Sequence, residues 1–206
     1  MISKNITKIR KKIDPNVQLI VVTKNRTPEE IEAAIQAGAT IIGENRVQEA
    51  REKFPKLKSS VQKHFIGHLQ TNKVKYVVPL FDMIQSVDSL YLAEKIDQIA
   101  AKHNKKMPVL LEVNIANDPQ KYGFTEQELR TILPELHTLP NLQIKGLMTI
   151  VPYFEDPEKA RPYFHQMKKL QTELNFPELS MGMSNDYQIA AQEGATMVRI
   201  GTAIFA

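Results

Sequence analysis

The sequence predicts an α/β fold, a single-domain β/α (TIM-like) barrel of eight parallel strands with an extra N-terminal helix, over residues 1–206. Three observations carry this expectation. Short apolar runs rich in β-branched residues alternate with longer helical patterns along the whole chain, the signature of parallel strands joined by crossover helices. The runs lack polar alternation, as strands covered on both faces do. No Gly/Ser-rich linker or low-complexity tract interrupts the pattern, so one continuous unit is expected. A doubly wound open sheet would fit the same periodicity.

In chain order, Ile2, Ile6, Ile9 and Ile13 fall at helical spacing in a segment with five basic residues among its first twelve, which reads as an amphipathic helix packed by its isoleucine stripe. The first strand, Gln18 to Val22, runs into Thr23 and Lys24. Thr27-Pro28-Glu29-Glu30 then supplies an N-cap hydroxyl, a proline for the first helical position and a capping-box glutamate, and Gly38 a stop. Further strands are expected at Thr40 to Gly43, His64 to Gly67, Met83 to Val87, Val109 to Asn114, Gln143 to Met148, Leu179 to Met181 and Met197 to Ile200. Helix starts are marked by Ser89, by the box Thr125-Glu126-Gln127-Glu128 and near Asp156-Pro157-Glu158. The eighth strand lies only a few residues before Ala206, so no eighth crossover helix is expected to follow it. The N-terminal helix is expected to cover that flank, its isoleucines against barrel strands.

Composition narrows the function classes. The 27 basic and 23 acidic residues leave a formal charge of +4, too mild without a patterned surface to argue for nucleic acid. No long apolar span and no signal-peptide core is present, so no membrane partner and a cytoplasmic location are expected. Without cysteine, disulfides, thiolate nucleophiles and Cys-ligated zinc are excluded.

Lys24 sits where β/α folds bind ligands, at the C-terminal edge of a strand, although a surface lysine that merely ends a strand would look the same. At the far end, Leu179-Ser180-Met181-Gly182-Met183-Ser184 closes a strand with a glycine and offers Ser184 as N-cap of a following helix. Val198-Arg199-Ile200-Gly201-Thr202 ends the eighth strand with a second glycine and hydroxyl. Barrels often hold a phosphate between the loops after strands seven and eight. An amine and a phosphate cradle at one mouth point to a phosphorylated carbonyl held as a Schiff base, with pyridoxal phosphate the leading candidate and burial expected to lower the Lys24 pKa. Arg199, if inward, would donate to the pyridine nitrogen; a rim salt bridge is its plainer use. A class I aldolase-type Schiff base on a sugar phosphate uses the same parts.

Several stretches resemble a known family. Val21-Val22-Thr23-Lys24, Gly43-Glu44-Asn45-Arg46-Val47-Gln48-Glu49 and His64-Phe65-Ile66-Gly67-His68-Leu69-Gln70-Thr71-Asn72-Lys73 are followed by Ser86-Val87-Asp88, Glu112-Val113-Asn114-Ile115, Lys121-Tyr122-Gly123-Phe124 and Gly146-Leu147-Met148-Thr149. With the two C-terminal segments, these resemble the pyridoxal phosphate homeostasis (YggS/PROSC) family, single barrels similar to the N-terminal domain of alanine racemase. The resemblance implies covalent attachment of pyridoxal phosphate to Lys24, with Ser184, Gly201 and Thr202 at the phosphate and Arg199 near the ring nitrogen. It also implies Asn45 beside the cofactor, Met148 lining the pocket or simply packing the core, and His68 as a further candidate or a helix cap. The implied role is a carrier or regulator of vitamin B6 cofactor without an established reaction, with pyridoxal phosphate-dependent apoenzymes as partners and a monomer as its state. Racemase-like catalysis is the alternative; it would need a second acid/base opposite Lys24, and the spacing of Tyr122, Tyr153 and Tyr163 places none there.

Overall fold

The computed structural model describes residues 1–206 and contains a closed barrel in which eight parallel strands follow one another in chain order. The strands are β1 (Gln18–Val22), β2 (Ile41–Glu44), β3 (Gln62–Phe65), β4 (Met83–Val87), β5 (Met107–Glu112), β6 (Leu142–Met148), β7 (Glu178–Ser180) and β8 (Met197–Ile200). The helices are α1 (Ile2–Arg10), α2 (Pro28–Gln36), α3 (Val47–Lys53), α4 (Val74–Leu80), α5 (Leu90–Lys102), α6 (Glu126–Leu136), α7 (Arg161–Glu173), α8 (Tyr187–Gln192) and α9 (Thr202–Phe205). β1 closes the barrel against β8 with Val21 opposite Ile200, and pairs on its other side with β2.

Local chemistry sets the helix starts. Thr27 and Thr125 each form a complete capping box, with Glu30 and Glu128, and the Ser89 hydroxyl accepts the Leu92 N–H. After α2 the chain turns through Gly38 at φ 95°, a backbone conformation that costs glycine nothing.

Strand ends differ from the expected ones where polar residues pair. Gln62 and Lys63 look like loop but lie opposite Ile41 and Ile42, so β3 starts two residues early. Glu44 extends β2 because its carboxylate is hydrogen-bonded inside the fold. β5 stops at Glu112 because the next segment turns to Phe124, whose carbonyl accepts the Asn114 N–H.

Two apolar cores separate cleanly. One lies between strands and helices and includes Leu19, Val21 and Ile42; the other fills the barrel floor with Ile20, Ile41, Leu110, Met148 and Met197. Two positions above an inner apolar residue the strands turn polar: Met83 is followed by Gln85, Leu110 by Glu112, Met197 by Arg199. The period-two alternation keeps these on the inner face, so the C-terminal half of the interior is polar.

Ile6, Ile9 and Ile13 are buried as expected and join the outer core. The elements α1 packs on most, however, are α2 and α9. A short helix does follow β8, and the Asn5 side-chain amide donates to the Ile204 carbonyl at 2.9 Å, fastening α1 to it. Truncating Ile9 to Ala should therefore lower unfolding free energy by about 3 kcal/mol in urea titrations, whereas Lys8→Ala on the exposed face should stay within about 0.5 kcal/mol.

Candidate functional site

The barrel closure brings the two ends of the sequence to one rim. Gly201 follows β8 so close to Val22 that a Cβ on it would lie 3.1 Å from the Val22 Cβ. The Arg26 guanidinium, two residues past Lys24, stacks over the Phe205 ring at 4.8 Å. Lys24 and the Gly201–Thr202 turn therefore border the same mouth.

Lys24 lies in a tight turn after β1. The Arg26 N–H donates to the Thr23 carbonyl at 3.1 Å, and Asn25 adopts φ 58°, a left-handed third position of the kind a type II turn requires and asparagine tolerates. The side chain is exposed, which corrects the expectation of a buried amine: the turn lifts it out of the strand to the open edge. Gly67 brings the loop after β3 against the loop after β2, since a Cβ on it would meet the Asn45 carbonyl oxygen at 2.3 Å. Asn45 Oδ1 is the one buried side-chain polar atom without a hydrogen-bond partner, a cost normally offset by a ligand or ordered solvent.

Arg199 points into the barrel and is 4% exposed. Its Nη1 donates to the Ser180 hydroxyl and its Nη2 to the Thr149 carbonyl, each at 2.7 Å. These contacts replace the rim salt bridge that Arg199 could have made. The Ser180 hydroxyl donates to Gln85 Oε1 at 2.7 Å, and the Gln85 amide donates to His64 Nδ1 at 2.9 Å. This directional chain defines the His64 tautomer as protonated on Nε2. Burial pushes His64 down to about 4, against a smaller opposing effect of Asp82, and the imidazole is neutral. Burial also lowers Arg199 to about 10, while Glu112 and Asp186 support its charge. Two of its five N–H donors are used by protein acceptors, leaving others for a ligand acceptor.

Ser184 is not the helix cap that the sequence predicts. α8 starts at Tyr187, and Asp186, its N-cap residue, folds back to accept the Met183 N–H at 2.7 Å. Ser184 stays in the turn, where its hydroxyl accepts the Ala203 N–H at 3.4 Å. That contact joins the loop after β7 to the start of α9, so Ser184, Gly201 and the exposed Thr202 converge. Met148 is fully buried in the barrel floor beside Ile20, Leu110 and Met197, which is its packing role. His68 caps no helix; in the loop after β3, its Nδ1 is 3.2 Å from Asp88 Oδ2 and its ring stacks on Tyr122 at 3.6 Å. Tyr122 thus reaches the mouth, which its place in a loop does not reveal.

His64, Glu112 and Ser180 stand in the family-like stretches and Gln85 beside one, but their roles in the barrel interior are not read from those stretches. Their signal is a polar side chain at inward parity within an apolar strand. Taken together, the site offers an exposed primary amine, converging hydroxyls and backbone groups one strand away, a buried guanidinium with spare donors and an unsatisfied amide oxygen. This donor set fits a ligand with a carbonyl, an anionic group and a hydrogen-bond acceptor.

The family described as alanine racemase, N-terminal domain, matches residues 1–206. Pyridoxal phosphate homeostasis proteins of Aquifex aeolicus and of a Synechocystis species are each 43% identical to this chain, over 91% and 94% of it and 86% and 92% of the relatives. The fold is similar to PipY of Synechococcus elongatus, solved without PLP and with PLP bound. The TM-scores are 0.95 and 0.93 at 39% and 37% identity, with both chains fully covered. An alanine racemase of Clostridium difficile matches at TM-score 0.77 and 16% identity, over 99% of this chain and 56% of that one, a likeness of fold.

Glu112 yields a test of the polar interior. Burial, reinforced by Asp88 and opposed by Arg199, raises its carboxyl from 4.5 to about 7. The folded state therefore holds the proton more tightly than the unfolded one, and this residue's contribution to stability falls as pH rises from 4.5 to 7. His64 works the other way, its contribution rising between about 4 and 6.5. Glu112→Gln isolates the first effect: it should match wild type at pH 4 and exceed it by about 3 kcal/mol at pH 8, measured by denaturant unfolding at both pH values.

Proposed function

This chain belongs to the pyridoxal phosphate homeostasis family, and from that premise we propose that it binds pyridoxal phosphate as an intracellular carrier or regulator of the vitamin B6 cofactor. The observation that carries this reading is the closure of β1 on β8, which sets the Lys24 turn beside Gly201. Bound pyridoxal phosphate supplies an aldehyde able to condense reversibly with an amine, a dianionic phosphate and a pyridine nitrogen able to accept a hydrogen bond.

In this reading Lys24 provides the amine for covalent attachment. Its exposed position suits a protein that must load and unload its ligand. The hydroxyls of Ser184 and Thr202 and the backbone at Gly201 hold the phosphate. Arg199, fixed by Ser180 and Thr149, donates toward the ring nitrogen; being a guanidinium, it does not give its proton up and holds that nitrogen unprotonated. Asn45 borders the ring, where a donor would satisfy its orphan oxygen. Met148 supports the pocket floor from below, and His68 with Tyr122 flanks the mouth. Residues 1–206 act as one binding unit, a cytoplasmic monomer that supplies pyridoxal phosphate-dependent apoenzymes. No helix is long and apolar enough to cross a membrane.

Purified protein incubated with pyridoxal phosphate should develop a visible absorption band that borohydride bleaches, with the reduced cofactor retained in the intact mass. Lys24→Ala should reduce the trapped mass at least about tenfold, with peptide mapping placing the wild-type label on Lys24. A wild-type protein that neither colours nor gains mass removes the reading. Size-exclusion chromatography with light scattering tests the monomer.

A further inference from the structure

The peptides on both sides of Lys24 are tied to one cluster of charged side chains. Before it, the Thr23 carbonyl accepts from Lys53 Nζ at 3.0 Å, and the Thr23 hydroxyl donates to Glu44 Oε2 at 3.0 Å. After it, the Asn25 N–H donates to Glu49 Oε2 at 2.9 Å. Lys53 closes the circuit, 3.3 Å from Glu44 Oε2 and hydrogen-bonded to Glu49. The other oxygen of Glu44 accepts the Asn45 N–H at 2.8 Å. One buried carboxylate therefore stands between the Lys24 turn and Asn45.

The sequence builds this cluster economically. Glu49 and Lys53 are four residues apart on α3 and so share a face, while Glu44 ends β2 with only Asn45 and Arg46 between it and that helix. Glu44 is fully buried and the Lys53 side chain is 12% exposed. Burial by itself pushes the Glu49 carboxyl up, but the hydrogen bonds from Lys53 and the Asn25 N–H, with the charges of Lys53 and Arg46, hold it below the ordinary range. Buried ion pairs are poor stabilisers compared with apolar residues of the same volume. What this one does that apolar packing could not is grip a carbonyl on one side of Lys24 and an N–H on the other.

We propose that Lys53, Glu44 and Glu49 form a positioning cluster that fixes the Thr23–Arg26 turn so that the Lys24 amine is presented to the aldehyde of the bound cofactor. This rests on the reading of Lys24 as the attachment residue. The cluster touches no ligand; it acts through the backbone on either side of Lys24. Without it the turn samples other arrangements, and the amine spends less time in a reactive geometry.

The test separates capture from binding. Capture is the rate of borohydride-trapped mass gain with pyridoxal phosphate. Binding is the Kd for pyridoxine 5′-phosphate, which carries an alcohol in place of the aldehyde and cannot condense with an amine. Glu49→Ala removes the acceptor for the Asn25 N–H from a partly exposed position and should slow capture about tenfold, leaving the alcohol's Kd within about twofold. Glu49→Gln, whose amide oxygen can still accept that N–H, should recover most of the rate. Lys53→Met should slow capture at least as much, and thermal unfolding identifies it as uninformative for capture if Glu44, left buried without its partner, unfolds the chain; the two Glu49 variants then decide. Capture by Glu49→Ala at the wild-type rate overturns the proposal, as does a parallel loss of capture and alcohol binding. Wild-type protein that binds the alcohol but traps no aldehyde overturns the attachment reading and this proposal together.

Discussion

The pairing of β1 with β8 is the constraint on which the site depends. It joins Gln18–Val22 to Met197–Ile200 in register, segments separated by most of the chain. Parallel pairing aligns their C-terminal ends, so the turn after β1 and the turn after β8 emerge at the same level. The contacts of Gly201 with Val22 and of Arg26 with Phe205 follow from that alignment. An open sheet with the same strands would leave these turns on opposite edges.

Inside the barrel, a second constraint acts. A guanidinium removed from water must be hydrogen-bonded or it destabilises the fold, and Arg199 meets this through Ser180 and Thr149. The hydrogen-bond chain continues through Gln85 to a neutral His64. The apolar floor and the polar layer above it are consequences of one alternation along the strands, seen from Met197 to Arg199 and from Met83 to Gln85. Close packing below and hydrogen bonds above make the interior rigid where Arg199 is held, while the loops beyond it stay accessible.

Lys24 differs from Arg199 in kind. It is exposed, on a turn whose left-handed residue is Asn25, and the residues on either side of it are hydrogen-bonded to Glu44, Glu49 and Lys53. A barrel that buried this amine would close it off from ligands in solution. A firmly held backbone with an open side chain is what the carrier role proposed above requires.

The sequence by itself determined the strand succession, the capping boxes at Thr27 and Thr125 and the position of Lys24 at a strand end, because each rests on neighbours within a few residues. It also marked Arg199, Gly201 and Thr202, whose residue types sit where a barrel places its ligand groups. Only the tertiary structure decided that Ser184 leaves its helix cap to Asp186 and contacts Ala203, that Tyr122 stacks on His68, and that Met148 belongs to the floor. The same is true of the Glu44–Lys53–Glu49 cluster around the Lys24 turn and of the chain from Arg199 to His64. These arise between strands and loops far apart in sequence, and their partners are selected by barrel closure and burial, which no local pattern encodes.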